Sequence, residues 1–210
     1  MRLVLVFVAL LLSLPLSPQA RPKEYELDYY RVRLESVETD GARGGVIGNP
    51  ENEQGFTTPG YRDSTIRVVF TFEPTHVDFS LTNESDSDFG IIWDEAVFVD
   101  GVSNAAEGVF HRGVKLLDRH DAQVPSVVVK GSCVLESLAV KNRVFTVATS
   151  NGGYSRISCG MRISTQIKIL LPIETAGGRR DYLFVFSVHW ENRKVRAEFD
   201  TGRWFYVSEK

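Results

Sequence analysis

The densest group of side chains able to move protons or hold an ion is His111, Arg112, Lys115, Asp118, Arg119, His120 and Asp121. Two imidazoles and two carboxylates could ligate a metal, and His111 with Asp118 could form an acid–base pair, if the loop brings them to one point. If residues 113–117 are extended, His111 and Asp121 lie too far apart to share an ion. A plainer expectation is that Asp118 and Arg119 cap a strand end while the others are solvated. A third is structural: Trp93, Asp94 and Asp100, taken as one strand, hydrogen-bond to Arg112 or Arg119 and pin the long connection onto a sheet.

Other chemistry is weakly represented. The chain has no G-x-S-x-G elbow, H-E-x-x-H pair, phosphate-cradling G-x-x-x-x-G-K-[ST] or dinucleotide fingerprint. Asp94 and Glu95 are adjacent on an expected strand, so they point to opposite faces and cannot be the paired carboxylates of a glycosidase. A triad assembled in space, with His76 or His189 meeting a distant Ser, stays open. The acidic stretch Asn83 to Asp88 suggests calcium, but an EF-hand register from Asp86 puts Ile91 where Gly is needed and Val97 where Glu is needed. A solvated turn is the simpler expectation. Asn83-Glu84-Ser85 fits the glycosylation pattern. The expectation is a non-enzyme, with no catalytic residue, metal or cofactor assigned.

The elements that must position these residues are strands. Ile66, Val68, Phe70 and Phe72 alternate with Arg67, Val69, Thr71 and Glu73, and Val77, Phe79 and Leu81 alternate with Asp78, Ser80 and Thr82 after the turn at residues 73–76, which makes a hairpin. The same period runs through Ile163 to Leu171 and Tyr182 to Val188, and a closing hairpin joins Val195–Phe199 to Trp204–Tyr206. The apolar face turns over at Tyr29-Tyr30, which calls for a bulge. Residues 41–62, rich in Gly and Pro, read as a long exposed loop where a partner could bind. About nine to eleven strands and no long amphipathic helix indicate an all-β antiparallel sandwich with long loops.

Arg2 followed by the apolar run Leu3 to Leu12 and the small, polar stretch Ser17 to Ala20 reads as a secretory signal peptide. The run is too short to span a bilayer core of ~30 Å. Cleavage near Ala20 leaves residues 21–210 as one soluble, periplasmic or secreted domain, with no transmembrane segment in the mature chain. An oxidising compartment lets Cys133 and Cys159 pair, the alternative being two separate thiols. With 24 Lys and Arg against 27 Asp and Glu the net charge is −3, which excludes nucleic acid as a partner.

The blocks Leu81-Thr-Asn-Glu-Ser-Asp86, Ile92-Trp-Asp-Glu-Ala-Val-Phe-Val-Asp100, His111-Arg-Gly-Val-Lys-Leu-Leu-Asp-Arg119 and Val124-Pro-Ser-Val-Val-Val-Lys-Gly131 occur in that order. Together they resemble a family of small exported bacterial proteins, many of them lipoproteins, over about residues 58–188. The resemblance implies an envelope compartment and an immunoglobulin-like sandwich, and no reaction. The chain departs from that pattern in lacking a lipobox cysteine and in carrying Cys133 and Cys159. The expected function is therefore a binding module for a protein or envelope component, with Trp93, Asp94, Asp100, His111, Arg112, Asp118 and Arg119 as candidate contacts. The alternatives are a metal-dependent or hydrolytic periplasmic enzyme built on residues 111–121, and an assembly subunit pairing through edge strands.

Overall fold

The computed structural model describes residues 23–40, 45–51, 57–73, 75–147, 154–157, 165–200 and 203–207. The expected leader at 1–20 and Cys159 lie outside the described residues.

Among the described residues fifteen strands run antiparallel: β1 Lys23–Thr39, β2 Val46–Gly48, β3 Gly60–Arg62, β4 Ile66–Phe72, β5 Val77–Asn83, β6 Phe89–Ile91, β7 Val97–Asp100, β8 Ala106–His111, β9 Ser126–Val128, β10 Cys133–Val140, β11 Val144–Val147, β12 Tyr154–Ile157, β13 Gln166–Thr175, β14 Gly178–Asp200 and β15 Arg203–Val207. Two 3-10 turns, Trp93–Glu95 and Leu116–Asp118, interrupt them. The all-β antiparallel expectation holds for the described residues. Among these, no helix is long and apolar enough to cross a membrane.

Pairing follows the path β1-β14-β13-β7-β8-β10-β5-β4-β3-β2, which curls nearly into a barrel. The corner is β8. Its first half pairs with β7, Val97 opposite Gly108, and its second half pairs with β10, Val140 opposite Val109 and Leu138 opposite His111. The predicted hairpins form: Phe70 lies opposite Phe79 in β4–β5, and Phe199 opposite Trp204 in β14–β15. The register of β1 on β14 shifts between Asp28 and Tyr30, where the pattern called for a bulge, and again between Leu34 and Ser36.

Inward residues of both halves form one core. Phe70 packs edge-on against Phe184 and Phe186, with ring centroids 5.0 and 5.2 Å away, and all three are fully buried. Burying a side chain of this kind contributes roughly 2–3 kcal/mol. Trp93 is also fully buried.

Two expectations need correction. Residues 41–62 are not simply a loop, because β2 and β3 extend the sheet there. Their connection also reaches the opposite end of the pairing path. The Asn49 side chain accepts from the Leu34 N–H (2.8 Å) and donates to the Leu34 carbonyl (3.0 Å), standing in for a neighbouring strand. Thr57 donates to the Val32 carbonyl nearby (2.6 Å). A polar side chain that repeats a peptide's donor and acceptor can satisfy an edge that backbone pairing leaves open. The segment after residue 88 is likewise not one strand. The 3-10 turn at Trp93–Glu95 splits it, so β6 pairs with β13 and β9 while β7 pairs with β13 and β8.

Candidate functional site

Adjacent residues of a strand face opposite ways, so β10 serves two polar clusters, one on each side. Inward, Glu136 sits between the core positions Val134 and Leu138. Outward, Leu135 and Ser137 line a hollow over β4, β5 and β10.

In the inward cluster the His111 ring stacks flat on Trp93, centroids 4.5 Å apart at an interplanar angle of 4°. Trp93 Nε1 donates to Ser126 Oγ (2.9 Å), and that hydroxyl donates to Glu136 Oε1 (3.1 Å). His111 Nδ1 and Glu136 Oε2 lie 3.6 Å apart, both buried and without a hydrogen bond. Nearby, the Gln123 N–H donates to Asp94 Oδ1 (3.0 Å), its Nε2 donates to the Val109 carbonyl (2.8 Å), and its Oε1 accepts from the His111 N–H (3.1 Å). Gln123 thus fastens the end of the 111–125 connection to β8 and to the 3-10 turn. Its sequence neighbourhood gives no hint of this, because the buried side-chain amide meets two partners on β8 and the backbone N–H a third on the 3-10 turn, all from elsewhere in the fold.

The residues singled out from the sequence do not converge. Asp100 is buried at the end of β7, where its Oδ1 accepts from the N–H groups of Val102 (3.0 Å) and Ser103 (2.9 Å), and it pairs with Arg143. Burial pushes the Asp100 carboxyl up, but the Ser103 N–H and the Arg143 guanidinium outweigh it and hold the group below the usual carboxylate range. Arg143 also reaches Glu107 and lies over the Phe98 ring, 5.5 Å from its centroid. Arg119 donates to the carbonyls of Lys141 (3.0 Å) and Leu116 (2.9 Å). Asp118, His120 and Asp121 are exposed.

The long connection is therefore pinned to the sheet, through different partners from those expected. Asp94 holds Gln123 and Arg119 holds carbonyls; Asp100 turns to Arg143. Since Trp93–Glu95 is a 3-10 turn, Asp94 and Glu95 part for that reason, Glu95 pairing with Arg179. Among the described residues no three His, Cys, Asp or Glu side chains gather as a metal site would need.

The acidic stretch after β5 is a closed turn. Asn83 is 1% exposed, and its Nδ2 donates to the carbonyls of Ser87 and Val128, both at 2.9 Å. Its Oδ1 accepts from the Ser85 N–H (2.9 Å) and hydroxyl (2.7 Å). An amide buried and occupied in this way cannot carry a glycan in the folded chain. Cys133, at the start of β10, is exposed.

The outward hollow encloses about 480 Å³. The strand registers order its floor in rows: Thr71, Asp78 and Ser137 lie side by side across β4, β5 and β10, and Val69, Ser80 and Leu135 form the next row. Arg112 extends the first row, its N–H donating to the Ser137 carbonyl (3.0 Å). Ser137 Oγ donates to Asp78 Oδ1, and His76 Nε2 lies 3.3 Å from that same oxygen. Thr75 Oγ1 contacts His76 Nδ1 at 2.8 Å. The hydrogen bond to Asp78 raises the His76 imidazole above its ordinary value, against the effect of burial. Burial pushes Asp78 up, but its bonds from His76 and Ser137 prevail and hold it low.

A carboxylate thus stands between the hydroxyl and the imidazole. In a nucleophilic triad the imidazole stands in the middle and takes the hydroxyl proton. Here Ser137 donates to a carboxylate of depressed basicity. His76, Asp78 and Ser137 meet only because β5 pairs with β10, 59 residues from Asp78 to Ser137 along the chain. The other histidine considered for a triad, His189, is exposed on β14 opposite Arg31.

No family model, curated protein or solved structure matches the chain.

Proposed function

We propose that the chain is an exported, non-catalytic scaffold of the bacterial cell envelope that captures an extended segment of an envelope protein along β9. The carrying observation is the exposure of this strand. It pairs on one side only among the described residues, with β6, and it and its flanks leave Val124, Val127 and Val129 80%, 66% and 54% exposed. Apolar side chains concentrated on a one-sided strand suit strand addition, in which backbone pairing gives affinity and alternate side chains give selectivity.

Export rests on the leader at residues 1–20 and on the resemblance to exported envelope proteins. An immunoglobulin-like description rests on two hydrogen-bonded layers that share one core and meet at β8. Two observations favour a non-catalytic role over hydrolysis: the dispersal of residues 111–121, and the central position of Asp78 between Ser137 and His76.

The test is capture from envelope extract by the mature chain beside Val127→Lys, which puts a charge on the open edge. A partner retained by the wild type and lost by the variant is expected, with slowed amide exchange in β9 on binding. Equal capture by both proteins overturns the proposal. A dimer of the purified chain that Val127→Lys disperses would assign the edge to a second copy instead.

A further inference from the structure

We infer that the hollow over β4, β5 and β10, a surface separate from β9, is a binding site for a short peptide with free termini. Two groups on its polar row are left with unspent capacity. Both donors to Asp78 fall on Oδ1, and its Oδ2 makes no hydrogen bond among the described residues, although the side chain is 45% exposed. Arg112, at the far end of the row, forms no salt bridge among the described residues.

Charge decides the class of ligand. A simple anion drawn to Arg112 would face the carboxylates of Asp78 and Glu73, which also lines the hollow, and a simple cation drawn to Asp78 would face Arg112 and the His76 imidazole. A dipolar molecule meets an opposite charge at each end. Its ammonium would donate to Asp78 Oδ2, and its carboxylate would accept the Arg112 fork.

Spacing decides the size. Arg112 is bonded to Ser137, which lies opposite Asp78, so two strand separations, about 10 Å of backbone, divide the charged positions. Extended chain covers roughly 3.4 Å per residue, so about three residues span that distance. A volume of about 480 Å³ is within the range of small-ligand sites. The neighbouring row supplies an apolar shelf, Val69 and Leu135, the latter 68% exposed. A central aliphatic side chain would rest there.

The experiment is calorimetric titration of the mature chain with Ala-Leu-Ala, its N-acetylated form and its C-terminal amide. Saturable binding of the free peptide is expected, weakened about tenfold by either block, since each removes one charge-assisted contact. The penalty for N-acetylation should disappear in Asp78→Asn, and that for amidation in Arg112→Gln. No saturable heat at millimolar peptide overturns the inference, as does equal binding of blocked and free forms. Should Asp78→Asn fail to fold, the exposed Arg112→Gln variant still decides, because a persisting amidation penalty there would refute the pairing.

Discussion

Two aspartates, 15 residues apart, show how a carboxylate can be closed or left open. Asp63 follows β3. Its Oδ1 accepts from the N–H groups of Thr65 (2.7 Å) and Ile66 (2.8 Å), and its Oδ2 accepts from the hydroxyls of Tyr61 (3.2 Å) and Tyr182 (3.0 Å). Arg180 joins the group through Thr65 and Tyr182. Burial, followed in order by the neighbouring Asp63 charge, pushes the Tyr61 hydroxyl pKa up; Tyr182 is raised chiefly by burial as well. Every lone-pair direction at Asp63 is taken, half by backbone that cannot move away. Asp78 has donors on one oxygen only, both of them side chains, and it faces a hollow. A carboxylate surrounded like Asp63 fixes a turn, whereas one surrounded like Asp78 still has affinity to offer a ligand.

Mutation should separate the two. Asp63→Ala, which strands two backbone donors and two tyrosine hydroxyls, should lower stability by about 3 kcal/mol in urea denaturation, whereas Asp78→Ala should cost less than about 1 kcal/mol. Equal losses at the two positions would erase the distinction. Asn83→Ala, which opens the buried turn after β5, should cost about 2 kcal/mol by the same measurement. Tyr182→Phe keeps the ring in the core and removes one donor, so about 1 kcal/mol is expected.

The smallest effect is one of pH. Because folding raises the His76 pKa above about 6.5, its contribution is complete below that pH and is lost as pH rises through the folded value. Asp78 is depressed, so its contribution is present above its unfolded value and is lost as pH falls through the folded one. The advantage of wild type over His76→Gln should therefore be greatest between about pH 4 and 6.5. With Asp78 nearly half exposed, solvent screening keeps it below roughly 0.5 kcal/mol. A pH-independent difference in urea midpoint would show that the pair does not titrate as the geometry requires.

Much of the scaffold could be read in advance. The alternation at Ile66–Phe72 and Val77–Leu81 fixed which side chains face inward, and the flip at Tyr29-Tyr30 located an irregularity that the β1–β14 register contains. These are local signals, set by a two-residue period. The 3-10 turn at Trp93 was hidden because Ile92 to Val97 alternates poorly in either direction. The strands at Val46–Gly48 and Gly60–Arg62 were hidden because three residues are too few for a period to register.

The sites were much less legible. His111, Arg112, Asp118 and Arg119 crowd together in sequence, but in the fold they turn to Glu136, the hollow, solvent and backbone carbonyls respectively. The groups that do meet, His76 with Ser137 and Trp93 with Ser126, are brought together by strand pairing and by the path of a long connection. Side-chain alternation and turn chemistry depend on neighbours in the chain, so the sequence alone determined an antiparallel β scaffold and its inward faces. Which polar groups share a hydrogen bond depends on register between strands dozens of residues apart, so only the tertiary structure could decide that Asp63 is closed and Asp78 is open.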